Sequence, residues 1–123
     1  MGKFVYKKVN NGFHFNLLAT NGQVIGSSEV YKSETSCKEG IESVRRCCVG
    51  GVENQTVEGF EKVKHPKFEI FEDKGGKFRF RLKARNGEII LQSQGYKTKD
   101  TCLNGIESVK KNAPESPVVK EEE

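Results

Sequence analysis

FRFRLKARNGEIILQSQGYKTKDTCLNGIESV, residues 78–109, and FHFNLLATNGQVIGSSEVYKSETSCKEGIESV, residues 13–44, align at a constant offset of 65 with about half of their positions identical. The matched residues are those that set structure. Phe13, Phe15, Leu17, Ala19, Asn21-Gly22, Ile25, Ser28, Tyr31, Cys37 and the run Gly40 to Val44 recur as Phe78, Phe80, Leu82, Ala84, Asn86-Gly87, Ile90, Ser93, Tyr96, Cys102 and Gly105 to Val109. The chain is therefore two copies of one unit. At 123 residues it has room for one hydrophobic core and not comfortably for two, so both copies are expected in a single domain, the first spanning 1–64 and the second 65–123.

Each copy opens with strand periodicity. Phe78, Phe80, Leu82 and Ala84 alternate with Arg79, Arg81, Lys83 and Arg85, which puts the apolar set on one face and the cations on the other. Asn-Gly then interrupts the alternation and predicts a two-residue type I′ hairpin, with both central residues at positive φ. That turn sets Leu17 opposite Gly26 and Leu82 opposite Leu91. Upstream, Asn10-Asn11-Gly12 and Lys74-Gly75-Gly76 mark an earlier turn and make residues 3–8 and 68–72 the first strand of each copy.

Ser33 and Thr98 are suitable helix N-caps, followed by Glu34 and Asp100, whose charge suits the positive end of a helix dipole. Beyond them Cys37, Ile41, Val44 and Cys48, and likewise Cys102, Ile106, Val109 and Ala113, recur three or four residues apart as one buried stripe. Gly40 and Gly105 sit inside these helices, where glycine costs about 1 kcal/mol relative to alanine. The recurring Tyr31 and Tyr96 are the candidates for a bulky group that needs the space. After each helix a fourth strand is expected, within 52–63 around Gln55-Thr56-Val57 in the first copy and within 117–120 around Val118-Val119 in the second. The charged end of 116–123 is expected to fray.

The unit, with "YKTKDTCLNGIESVKKN" in one copy and "YKSETSCKEGIESVRR" in the other, resembles the YegP-like family of small bacterial and archaeal proteins. The resemblance covers nearly the whole chain and rests on a tyrosine, a hydroxyl cap and "GIESV" occurring twice at the right separation. It implies an α+β fold of two tandem β-β-β-α-β repeats in one antiparallel sheet, helices on one face, with the last strand of each repeat exchanged into the other. It implies no known activity, and its motif of core and turn residues carries no catalytic residue. The link at 49–66 is longer than in the simplest family pattern.

Composition narrows function by exclusion. No apolar run is long enough to cross a bilayer and the start lacks a signal peptide's apolar segment, so a cytoplasmic location is expected. The four cysteines, Cys37, Cys47, Cys48 and Cys102, lack zinc-site spacing and read as reduced thiols, Cys37 and Cys102 as core residues. The formal net charge is +4, and the acidic end Glu121-Glu122-Glu123 conceals a slightly more basic body. His14 and His65 are the only histidines and neither has a carboxylate or serine repeated beside it. No catalytic residue, metal site or cofactor site is expected, and the chain reads as a non-enzymatic binding, accessory or structural module.

One feature could bind an anion or nucleic acid. Arg79, Arg81, Lys83 and Arg85 would stand at roughly 7 Å intervals along one strand face, a spacing able to track phosphates. Against it, Glu88 is expected to pair with Arg85 across the turn and Glu69 to neutralise others. Aromatic interleaving is thin, and the family resemblance implies a mixed surface on that face, where Phe71, Ile90, Leu18 and Ile25 could instead pack against another protein. Internal duplication favours closure within a monomer, with a strand-exchanged dimer as the alternative.

Overall fold

The computed structural model describes residues 2–121; the last two residues of the acidic end, Glu122 and Glu123, lie outside the described residues. The elements run β1 (Lys3–Val9), β2 (Gly12–Leu18), β3 (Val24–Ser27), α1 (Glu34–Cys47), β4 (Gly51–Asn54), β5 (Lys67–Glu72), β6 (Phe78–Lys83), β7 (Ile89–Gln92), α2 (Lys99–Asn112) and β8 (Val118–Lys120). One sheet of eight strands contains them in the order β4-β5-β6-β7-β3-β2-β1-β8. The sheet is mixed and not antiparallel as expected. β4 runs parallel beside β5, and β8 parallel beside β1. A strand that follows a helix returns to the sheet in the direction of its new neighbour, because the helix has carried the chain back to the starting end.

The hairpins correct the turn type and explain why the register survives. Among the described residues no non-glycine residue has positive φ, whereas Gly22 and Gly87 both lie at φ 84°. Gly22 N–H donates to Ala19 O and Ala19 N–H to Gln23 O, so the loop holds three residues, Thr20, Asn21 and Gly22, and Asn21 Oδ1 accepts from Gln23 N–H. Asn86 and Gly87 repeat this arrangement. It is a type I turn closed by a left-handed glycine. The additional loop residue is cancelled by a bulge: Leu18 faces Val24 but Leu17 faces Gly26, and Lys83 faces Ile89 but Leu82 faces Leu91. Ile25 and Ile90, the bulged residues, are buried with the core and do not contribute to the surface assigned to them.

Both helices begin where their caps place them. Ser33 Oγ accepts from Ser36 N–H and Thr98 Oγ1 from Thr101 N–H, and both apolar stripes are buried. Phe4, Phe15 and Leu17 meet α1 while Phe68, Phe80 and Leu82 lie in the other half of the same core cluster. At the centre of the sheet β3 meets β7 through one backbone pair, Ser27 with Gln92, while β4 beside β5 and β8 beside β1 add further pairings between the halves. The helices span that seam, α1 touching β2 and β7 and α2 touching β6 and β3. Fully burying each of the large side chains contributes about 1.5–3 kcal/mol, so the shared core outweighs the thin seam.

Gly40 and Gly105 are explained by their tyrosines. A Cβ at Gly40 would collide with the Tyr31 hydroxyl, and one at Gly105 would stand 2.5 Å from the Tyr96 hydroxyl and 3.0 Å from Phe80 Cε2. The tyrosines are held in place by stacking on Phe15 and Phe80, with centroids 6.2 and 6.4 Å apart. The first fourth strand lies at Gly51–Asn54, earlier than expected. Residues 55–57 turn away instead, where Asn54 Oδ1 accepts from Thr56 N–H.

Candidate functional site

The cationic stripe begins on β6, whose pairing with β5 sets Arg79 opposite Phe71, Arg81 opposite Glu69 and Lys83 opposite Lys67. β4 then adds Glu53 beside Glu69. Because Phe68 and Ile70 face the core, Lys67 and Glu69 must face the opposite side, the side without helices. Lys67 Nζ lies 2.7 Å from Glu53 Oε1 and 3.1 Å from Glu69 Oε2. Arg81 Nε donates to Glu69 Oε1 at 2.6 Å, and Lys83 Nζ is 3.3 Å from the same oxygen. Arg81 also lies over the Phe71 ring, 4.5 Å from its centroid.

These groups are buried although they occupy the open face. Glu53 and Glu69 are each 2% exposed and Lys67 6%. The cover is the link at residues 55–66: Val63 N–H donates to Glu53 Oε1 at 2.8 Å, and Gln55 Nε2 donates to Glu53 Oε2 at 2.7 Å. The Lys67 ammonium, aided by those two donors, holds the Glu53 carboxyl down at about 2 against the opposing effect of burial. Burial alone would lower the Lys67 pKa, but its bonds to Glu53 and Glu69 outweigh burial and raise it. Burial likewise works to raise Glu69, yet Arg81 and Lys67 leave it below the usual carboxylate value.

The expected stripe is therefore divided. Arg81 and Lys83 are bound to Glu69, and Arg79 donates to Asp73 Oδ2 at 2.6 Å, which lowers the Asp73 pKa. Arg85 lies beyond the strand in the hairpin loop. It forms no ion pair with Glu88, because the three-residue loop sets Ala84 opposite Glu88 and leaves Arg85 at the tip. The neutralising role expected of Glu69 is met. Glu53 and Lys67 escaped the reading: alternation about Phe68 and Ile70 could have placed Lys67 on this face, but no local pattern places Glu53.

All four cysteines are free and buried. Burial pushes the Cys37 and Cys102 thiols up to about 11 and raises Cys48, opposite to the depressed pKa of a nucleophilic thiolate. Among the described residues no group of three or more His, Cys, Asp and Glu side chains could hold a metal ion. Ser28 and Ser93, the recurring hydroxyls, accept from Phe15 and Phe80 N–H at 2.9 Å and serve the hairpins. Among the described residues no helix is long and apolar enough to cross a membrane.

Residues 9–51 and 73–119 match the family model of a domain of unknown function, DUF1508. The chain is 42% identical to a UPF0339 protein of Pseudomonas aeruginosa, over 93% of this chain and 92% of that one. It is 58% identical over 53 residues to a UPF0339 protein of Methanosarcina acetivorans, a stretch that is 43% of this chain but 91% of that protein. The solution structure of YegP from Escherichia coli, a protein of unknown function, superposes with a TM-score of 0.79 at 38% identity, covering 97% of this chain and 91% of the other.

Proposed function

This chain belongs to the DUF1508 family, the UPF0339 proteins, and from that premise we propose that it is a non-enzymatic binding module, a duplicated unit whose last strands are exchanged between halves. The parallel pairings of β8 with β1 and β4 with β5 support the exchange, as each joins the end of one half to the start of the other. The Methanosarcina relative, matched over nearly all its length by 53 residues, supports the unit as the element duplicated. Having both units on one chain favours closure within it over a strand-exchanged dimer.

The observation that carries the binding reading is an uncovered apolar strip on the open face of the first half. Val5, Leu18, Val24 and Val119 line it, with Lys3 and Glu121 at its rim, and Val119 is 40% exposed. In the second half the link at residues 55–66 lies over the matching positions, so an extended polypeptide segment with alternating apolar side chains is the occupant this surface fits. Peptides selected from a random library, titrated into the isotope-labelled protein, should shift the amides of Val5, Leu18, Val24 and Val119 and lose binding in Leu18→Asp. Shifts that fall elsewhere, or selection that enriches nothing, would overturn the reading.

Binding of nucleic acid through Arg79, Arg81, Lys83 and Arg85 has less support, because carboxylates already hold the first three. Anisotropy of a labelled single-stranded oligonucleotide at low and near-physiological salt discriminates: saturable, salt-sensitive binding lost in Arg79→Glu/Arg81→Glu would replace the peptide reading with this one.

A further inference from the structure

Arg46 and Arg85 come from different halves of the chain and line one cleft of about 660 Å³, together with Ser43, Cys47, Pro66 and Asn86. Arg46 stands in the last turn of α1 and Arg85 at the tip of the second hairpin. Arg46 also borders a second hollow with Glu39 and Glu42 but forms no ion pair with either, and Glu88 is out of register with Arg85. Glu42, one turn before Arg46, pairs with Arg45 at 3.2 Å, and Ala84 takes the position opposite Glu88. Asn86 accepts Glu88 N–H through Oδ1, which leaves its amide hydrogens for another acceptor. The carbonyl dipoles at the end of α1 would oppose an anion, but Arg45 O accepts from Cys48 Sγ and Cys47 O from Gly50 N–H. Two of the outward-facing carbonyls are thereby engaged by the chain itself.

The corresponding place in the other half is plugged. By register Gly2 matches Pro66, and by repeat offset Asn112 matches Cys47 and Ser108 matches Ser43. There Asn112 Oδ1 accepts from Gly2 N–H at 3.1 Å while its amide donates to Ser108 O at 2.8 Å, which closes the gap. Pro66 has no N–H to offer and Cys47 is shorter and cannot make that pair of bonds. The plug is lost only where two arginines converge.

We infer that this cleft is an anion site for the phosphate group of a small ligand, held by the guanidinium groups of Arg46 and Arg85 with Asn86 and Ser43 as further donors. A carboxylate is satisfied by one guanidinium fork, whereas the three terminal oxygens of a phosphate use donors arriving from several directions. The cleft lies within the size range of small-ligand sites, on the order of 300–1,000 Å³.

The test titrates inorganic phosphate into the isotope-labelled full chain at constant ionic strength, with acetate as a parallel arm. Saturable shifts confined to Ser43, Arg46, Cys47, Arg85 and Asn86 are expected, with affinity lowered at least about tenfold in Arg46→Gln/Arg85→Gln. Both arginines are exposed, so the double variant should keep the parent melting temperature. Lys111→Gln, the counterpart of Arg46 in the plugged half, should bind within about twofold of the parent. Absence of saturable shifts, equal affinity in the double variant, or acetate binding as tightly as phosphate would overturn the assignment.

Discussion

On the side of the sheet away from the helices the same four backbone positions are occupied in two incompatible ways. Register matches Val5 with Glu69, Leu18 with Lys83, Asn16 with Arg81 and Val119 with Glu53. One half presents three apolar groups to solvent; the other presents two carboxylates and two cations, joined by Lys67 and roofed by the link. On the helix side the halves stay alike, Phe4, Phe15 and Leu17 answering to Phe68, Phe80 and Leu82, all fully or almost fully buried. A face under a helix must keep its volume, whereas a face that meets water or a loop is free to change its chemistry provided each charge it buries finds a partner.

The comparison breaks most sharply at Glu69. Glu69→Ala leaves Lys67, Arg81 and Lys83 without their common acceptor and should destabilise by about 3 kcal/mol, while Val5→Ala at the matching position should cost about 1 kcal/mol. Urea unfolding of both variants measures the difference, and equal costs would mean that the ionic half is no more interdependent than the apolar one.

Among the matched core pairs that differ, Gly26 and Leu91 meet each other at the centre of the sheet. A Cβ on Gly26 would stand 2.8 Å from Leu91 Cγ, so one leucine fills the space at the seam and the matching residue must be small. Gly26→Leu should cost about 2 kcal/mol by overpacking. Adding Leu91→Ala should recover about 1 kcal/mol of that loss as a coupling term in a double-mutant cycle. Simple additivity would place the two side chains in separate spaces.

Gly105→Ala and Gly40→Ala refine the comparison between helices. Alanine gains helix propensity at both, but at Gly105 the Cβ meets Phe80, 1% exposed, as well as Tyr96, whereas the contacts at Gly40 are with half-buried Tyr31. The net expected loss is about 1 kcal/mol for Gly105→Ala and less for Gly40→Ala. A raised melting temperature for Gly105→Ala would refute close packing there.

Acid provides the gentlest probe. The Glu53 pKa is depressed in the folded chain from an ordinary 4.5 to about 2. Its contribution is therefore complete above pH 4.5 and lost as pH falls through about 2, since the unfolded chain takes up the proton first. Glu53→Gln should be less stable than the parent at neutral pH and show a shallower decline over that interval. Parallel pH profiles would assign the acid sensitivity to Glu69 or Asp73 instead.

Much of this was legible before any coordinates. Period-two alternation, the hydroxyl caps, the three- and four-residue stripes and the coincidence of a helical glycine with a tyrosine are short-range signals, and each reports a constraint the chain meets within a turn or a hairpin. Even the mistaken type I′ turn left Leu17 opposite Gly26 and Leu82 opposite Leu91, because loop and bulge compensate. The sequence by itself thus determined the internal repeat, the hairpins, the helices and most of the core, but misplaced β4 and put Ile25 and Ile90 on the surface. The tertiary structure alone decided the direction of β4 and β8, the pairing of Glu53 with Lys67 under the roof of Val63, and the cleft between Arg46 and Arg85. Strands of three or four residues carry too little pattern to name a neighbour, and whether a charge is exposed or spent depends on segments distant in the chain that only folding brings together.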